Sequence, residues 1–172
     1  MRKQKGFSLI ELLIVVAIIL IIAAIAIPNL LRARIAANES SAASIVRTLN
    51  TAEVSYVTAY PSVGYAATML ALGGATGAVC SPSSTTACLI DATLANTGGT
   101  TGKSGYKFTG VGTAASGSTV NGQYLITASP LAPNSSGVNS FCSVEDAVVR
   151  KDTTGTTAAT HDACAIEVSL GN

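Results

Sequence analysis

Charged residues are scarce in this chain of 172 residues. Asp, Glu, Lys and Arg together make up 11% of the sequence, aromatic residues make up 5%, and there is one histidine and no tryptophan. Ten basic and nine acidic residues leave a formal net charge of +1. Because a protein that binds nucleic acid through its phosphates needs a strongly basic surface, no nucleic-acid partner is predicted.

Apolar residues are abundant instead, at 48% of the sequence. The mean hydropathy of +0.48 is too high for an ordinary soluble domain of this size. Most of the excess lies in residues 7–31, where the polar or helix-breaking residues are Ser8, Glu11, Pro28 and Asn29. At about 1.5 Å per residue, a helix of this length reaches roughly 37 Å, enough to cross the hydrocarbon core of a membrane. The rest of the chain suffices for one domain but not for two.

A short basic leader precedes the apolar run. Residues 1–6 include Arg2, Lys3 and Lys5, and the run begins directly after Gly6. A secretory signal peptide would instead place its small-residue cleavage site after the apolar segment. Because basic residues hold their end of a membrane helix in the cytoplasm, we predict a single-pass protein with its N-terminus inside and most of the chain outside.

One carboxylate interrupts the apolar run. Glu11 lies near its start, and burying this charge at the centre of a membrane helix would cost about 2.5 to 3.5 kcal/mol. The side chain either sits among the lipid headgroups or meets a cation when subunits assemble. The nearest candidate cation is the α-amine that would form if the chain were cut before Phe7. A buried pair of this kind specifies register more than it adds stability.

Two stretches of this segment, residues 5–19 and 23–28, closely resemble the class III signal and N-terminal helix of type IV pilins and of type II secretion pseudopilins. In that superfamily a membrane-embedded prepilin peptidase cuts after the glycine, here Gly6, and methylates the new N-terminal residue, here Phe7. The resemblance also implies that Glu11 serves filament assembly. It covers the N-terminal segment alone and says little about the rest of the chain.

Pro28 stands near the end of the apolar run. Proline lacks the amide hydrogen that a helix interior uses and clashes with the preceding turn, at a cost of roughly 3 kcal/mol. We therefore expect a bend or a break near residues 24–28. The resemblance implies that Pro28 kinks or locally melts the helix in the packed filament.

The chain becomes amphipathic after the apolar run. Its apolar residues follow one stripe at helical spacing, at positions 45, 49, 52, 56 and 60. Tyr56 and Tyr60 belong to this stripe, and we predict that they pack in a core rather than carry electrons.

The same region predicts one long helix over about residues 7–60. No glycine or proline interrupts residues 29–60, and Pro61 is a natural stop. The helix divides into a membrane-spanning and filament-core half, 7–31, and an amphipathic half, 32–60, which we expect to pack on a sheet.

The remaining residues, 61–172, are predicted to form a globular head. Residues 61–105 are rich in Gly, Ala, Ser and Thr, which is typical of a long connection, with a short helix near 66–72. Four later segments, each bounded by turn-forming clusters, show the alternation of apolar and polar residues that predicts strands: 105–111, 122–128, 140–144 and 147–150. We predict an α+β fold, a small antiparallel sheet of three or four strands packed on the long helix, and the resemblance implies the same pilin fold.

All four cysteines lie on the outer side of the predicted membrane helix, where disulfides form. Of three possible pairings we prefer Cys80 with Cys88 and Cys142 with Cys164, because each closes a local loop. The second loop resembles the C-terminal disulfide loop of many pilins. A zinc site is the alternative, but the sequence has no CxxC and only His161 could add a nitrogen, so no metal and no cofactor are predicted.

Catalytic chemistry finds little support. His161 lies beside Asp162, but no nucleophile motif accompanies them and their surroundings are typical of a solvated loop, so no enzyme activity is predicted. A calcium site would need clustered oxygen ligands, whereas Asp146, Asp152, Asp162 and Glu167 are scattered through the C-terminal third. The sequence leaves calcium binding open.

The favoured function is structural. We expect a type IV pilus subunit that is stored in the bacterial inner membrane, cut after Gly6, and polymerised into an extracellular filament. Its expected partners are prepilin peptidase, membrane lipid before assembly, the inner-membrane assembly platform with its ATPase motor, and further copies of itself. The alternative is a pseudopilin that forms a periplasmic pseudopilus for type II secretion. A membrane-tethered enzyme or binding protein is a third class, which the short leader and Glu11 disfavour because a plain tether needs neither.

Overall fold

Two compact units make up the chain, Met1–Arg34 and Ile35–Asn172. The computed structural model describes residues 7–77, 79–96 and 102–171. The leader residues, Gly6 among them, lie outside these ranges.

Helix α1 spans Leu9–Ala59 and confirms the prediction of one long N-terminal helix. By length and composition it can cross a membrane. A bend or a break was predicted near residues 24–28; the helix continues through Pro28, so the single subunit has no break there. Proline has no amide hydrogen, so the carbonyl of Ala24 loses its usual helical donor at this point.

The second unit is built on an antiparallel sheet of five strands, whereas three or four were predicted. Neighbours in the sheet are also neighbours in the chain. The strands are β1 (Tyr106–Ala114), β2 (Asn121–Pro130), β3 (Ser140–Ser143), β4 (Arg150–Asp152) and β5 (Val168–Ser169). The additional strand is β5, which has two residues and is therefore too short to show an alternating pattern.

Strand β4 begins later than the predicted segment 147–150. Ala147 adopts a left-handed conformation with φ of 58°, and its amide donates to the carbonyl of Val144 at 2.8 Å. This turn occupies the first residues of the predicted strand, so pairing with β3 starts only at Arg150, which lies opposite Cys142.

The predicted long connection contains two short helices. Helix α2 (Met69–Gly73) overlaps the short helix expected near 66–72, and α3 (Ala92–Ala95) was not predicted. A third short helix, α4 (His161–Ala165), precedes β5. Each begins after a side chain that caps its first turn, and these capping residues are Thr68, Asp91 and Thr160.

The core of the second unit lies between α1 and the sheet. The largest fully buried side chains of α1 are Tyr56, Leu49, Glu53 and Val46. The sheet buries Tyr106, Phe108, Tyr124 and Ile126 in the same core. Of the predicted stripe, positions 49, 52 and 56 are buried and positions 45 and 60 pack at the edge of the core. The aromatic side chains therefore fill the interior, as their spacing predicts.

Candidate assembly segment

The start of α1 is stabilised by Glu11. Ser8 is the residue before the first helical residue, and its backbone amide donates to the Glu11 Oε2 atom at 2.9 Å. A glutamate three residues after the capping residue satisfies one of the free amides at a helix start in this way. This local role of Glu11 was not predicted, although Ser8-Leu9-Ile10-Glu11 has the spacing of a capping box.

The large apolar side chains of residues 7–31 lie at the surface of the first unit. Every large apolar residue of segment 7–31 is exposed, from 44% at Leu31 to 86% at Phe7. A helix that is apolar around its whole circumference is stable only in lipid or among other apolar helices. The segment can therefore either span a membrane or form the centre of a helical assembly.

The comparisons with known proteins agree with this geometry. The model of the prokaryotic N-terminal methylation motif matches residues 1–27. The chain is 68% identical over 40 residues to the type IV wide pilus major component PilA4 of Thermus thermophilus, which covers 23% of this chain and 30% of that protein. It is 48% identical over 54 residues to the type IV major pilin protein PilA of Myxococcus xanthus, covering 31% of this chain and 24% of that one.

The N-terminal segment therefore matches the methylation motif and is similar to the matched parts of two type IV pilins. The matched parts are less than a third of each relative, so the likeness to these pilins does not extend over their full lengths. No solved structure matches the chain.

The second unit contains two disulfides. Cys80 is bonded to Cys88 and Cys142 to Cys164, with Cα atoms 5.9 and 6.0 Å apart. This is the pairing that the sequence analysis prefers. The second bond joins β3 to α4. Since all four sulfur atoms are in disulfides, no cysteine thiolate remains for zinc.

His161, which was considered for catalysis, contacts a carboxylate at each of its ring nitrogens. His161 Nε2 lies 2.7 Å from the Glu145 carboxylate, and Nδ1 lies 3.1 Å from Asp162. Hydrogen bonds to Asp162 and, to a smaller extent, to Glu145 raise the pKa of His161. With a carboxylate at each ring nitrogen, the imidazole has no free nitrogen with which to accept a proton from a nucleophile.

The calcium alternative gains no support from the described ranges of the chain. They contain no group of three or more His, Cys, Asp or Glu side chains that could hold a metal ion. The acidic residues considered for calcium contact different partners. Asp146 pairs with Arg150, Asp162 lies beside His161, and the Asp152 carboxylate accepts hydrogen bonds from Thr154 and Thr156.

A buried carboxylate in the head was not predicted. Glu53 is fully buried, and its Oε2 atom accepts a hydrogen bond from the Ala66 amide at 2.9 Å. Within the described part of the chain, Oε1 has no hydrogen-bond partner. Burial raises the pKa of this carboxyl group to about 7, and the Ala66 amide only partly offsets that effect. A usable signal existed, because position 53 lies four residues after Leu49 and three before Tyr56 in the apolar stripe.

Asn50 joins α1 to the sheet through hydrogen bonds. Its side-chain amide donates to Ser143 Oγ at 2.9 Å and to the Ala147 carbonyl at 3.1 Å, and its oxygen accepts from the Tyr124 hydroxyl at 3.2 Å. Buried polar groups that are fully satisfied in this way fix one orientation of the packed elements. The partners lie 74 to 97 residues further along the chain, so the sequence alone could not reveal them.

Proposed function

We propose that this chain is a structural subunit of a type IV pilus, cut after Gly6 by prepilin peptidase and methylated on Phe7. The observation that carries the proposal is the exposed apolar helix of segment 7–31 with a single carboxylate at Glu11. The methylation motif over residues 1–27 supports the processing step. The two similar proteins, which are named as pilus components, support the filament.

Before assembly, the apolar helix lies in the inner membrane as a single pass. Its exposed Leu, Ile and Val side chains are solvated by lipid. Transferring them to water would be strongly unfavourable. The basic leader keeps the N-terminus on the cytoplasmic side, where Gly6 is cut. The head, with its two disulfides, then lies on the outer side, where disulfides persist.

Assembly replaces lipid with the apolar helices of neighbouring subunits. The Glu11 carboxylate, which accepts from the Ser8 amide in the single subunit, then pairs with the charged α-amine of Phe7 on a neighbour. The helix adjusts at Pro28, where one helical hydrogen bond is already missing. An inner-membrane platform and its ATPase motor supply the force that extracts subunits from the membrane.

The test is mass spectrometry of material sheared from the surface of native cells. We expect this chain to be abundant there and to begin at methylated Phe7. A processed chain that stays in the envelope fraction would favour the pseudopilin alternative. An uncut chain with its leader intact would contradict both.

A further inference from the structure

A groove on the second unit exposes two cations. It has a volume of about 470 Å³ and lies between α1 and the sheet. Its apolar lining includes Ala43, Phe141 and Leu170, and its cations are Arg47 of α1 and Lys151 of β4. Within the described ranges, neither cation forms a salt bridge.

The groove also contains one carboxylate, Glu39, whose oxygen atoms already accept hydrogen bonds within the subunit. Glu39 accepts hydrogen bonds from the Val138 amide at 2.8 Å and from both the backbone and side-chain amides of Asn139. Burial acts to raise the pKa of Glu39, but these hydrogen bonds and the charge of Lys151 together lower it. Two cations and one anion give the groove a charge of 2 − 1 = +1.

A second surface of the head has the complementary character. Glu167 has no ion pair in the part of the chain that the structure describes. It is flanked by Ile166, which is 86% exposed, and Val168, which is 63% exposed. One carboxylate between two exposed apolar side chains matches a groove with one net positive charge and an apolar lining.

The backbone of this second surface is fixed. The Cys142–Cys164 disulfide holds the end of α4, and the Glu167 amide donates to the Cys164 carbonyl at 3.1 Å. Strand β5 then pairs with β4, where Val168 lies opposite Lys151. A segment that is already ordered loses little conformational entropy when it binds.

We propose that residues 166–168 of one copy bind the groove of a neighbouring copy. Glu167 pairs with Arg47 of that neighbour, and Ile166 packs on the apolar lining around Phe141. The groove and the segment are adjacent but consist of different residues, because Val168 lies opposite Lys151 across the β4–β5 pair. A contact between two different sets of residues is heterologous, and its repetition extends a filament where the rotation does not close a ring. The inference rests on the proposed pilus function and names a contact between heads within that filament.

The test is charge reversal in cells that assemble filaments from the full chain. Glu167→Lys and Arg47→Glu each place like charges in contact, so we expect either change to lower the yield of sheared filament at least about tenfold. The double variant, which restores an opposite pair, should recover most of the yield. The milder variants Glu167→Gln and Arg47→Gln should lower it less than the reversals do.

Lys107→Glu is the matched control. Lys107 lies on β1, is not part of the groove, and forms no salt bridge within the described residues, so its reversal changes the net charge as Arg47→Glu does without touching the proposed contact. We expect its filament yield to match the unaltered chain. The amount of each variant in the membrane fraction separates misfolding from failed assembly.

Several outcomes would overturn the contact. If both reversals assemble normally, or if the double variant recovers nothing although it accumulates in the membrane, Glu167 and Arg47 do not pair. If only the Arg47 reversal lowers the yield, the groove binds something other than Glu167. If the unaltered chain forms no filament at all, the pilus proposal fails and this contact fails with it.

Discussion

At the scale of single residues, Glu11 has two separable roles. In the subunit its carboxylate accepts from the Ser8 amide and caps α1, whereas in the proposed filament it pairs with a neighbour's α-amine. Glutamine can also satisfy the free amide at a helix start but carries no charge. The pair Glu11→Gln and Glu11→Ala therefore distinguishes capping from charge pairing.

We predict that both Glu11 variants are cut normally but assemble poorly. Leaving a buried amine without its partner is strongly unfavourable, so the sheared filament should fall at least about tenfold for each. Mass spectrometry reports the cut, and the ratio of sheared to membrane-bound protein reports assembly. Normal assembly of Glu11→Gln with failure of Glu11→Ala would show that capping alone matters.

Glu53 should make the stability of the head depend on pH. Burial raises its pKa from 4.5 to about 7, so the unfolded state loses its proton first as the pH rises. The stabilising contribution is fully present below about pH 4.5 and is lost as the pH rises towards 7, by about 3 kcal/mol in all. Glu53→Gln should remove this dependence and raise the free energy of unfolding at pH 8.

The measurement is urea unfolding of the full chain in detergent between pH 4 and pH 8. Glu39→Gln is the control of opposite sign, because hydrogen bonds lower the pKa of Glu39 and its charged form therefore stabilises the fold. We expect Glu39→Gln to lower stability at pH 8. An unchanged pH profile for Glu53→Gln would mean that its carboxyl group is not the one responsible.

At the scale of elements, the two disulfides close loops of different length. Cys142 and Cys164 are 22 residues apart and Cys80 and Cys88 are 8 apart. By constraint of the unfolded chain alone, the bonds contribute about 3.4 and about 2.5 kcal/mol respectively.

Removing each bond by a double Cys→Ala change should therefore have unequal effects. We predict the larger fall in unfolding free energy without Cys142–Cys164, which also joins α4 to β3. Each double variant is the control for the other in the same denaturant titration. A larger loss without Cys80–Cys88 would show that loop length does not dominate.

The elements also show what the sequence could predict. Helix α1 has a long uninterrupted pattern with a proline after it, so its extent is predictable to within about two residues, the usual uncertainty of helix ends. Strand β5 has two residues and depends on pairing with β4, so no local pattern marks it. The predicted start of β4 was wrong because Ala147 adopts a left-handed turn conformation, which residues other than glycine rarely do.

Some residues of the candidate site could be predicted from the sequence and others could not. The apolar run and Glu11 stand out because their chemistry is unusual within a short segment. The burial of Glu53 and the hydrogen bonds of Asn50 depend on partners far along the chain, so composition and spacing cannot supply them. The processing residue Gly6 lies outside the described ranges and stays a prediction.

At the scale of the whole molecule, the proposed function makes the peptide bond after Gly6 decide between two uses of the apolar helix. In that proposal the uncut chain keeps its basic leader, whose three cations favour a cytoplasmic N-terminus, and it has no α-amine at Phe7 to meet Glu11. Gly6→Val adds a branched side chain directly before the proposed cut. We predict that this variant accumulates uncut in the membrane and gives no sheared filament.

Gly6→Ala is the matched control, since it adds one methyl group rather than a branched side chain. It should retain more cutting than Gly6→Val, and filament yield should follow the fraction cut in both variants. Intact-mass measurement of the membrane and sheared fractions gives that fraction directly. A mature-length product from Gly6→Val would contradict the assigned cut, whereas filaments built from uncut chain would show that assembly needs no free amine at Phe7.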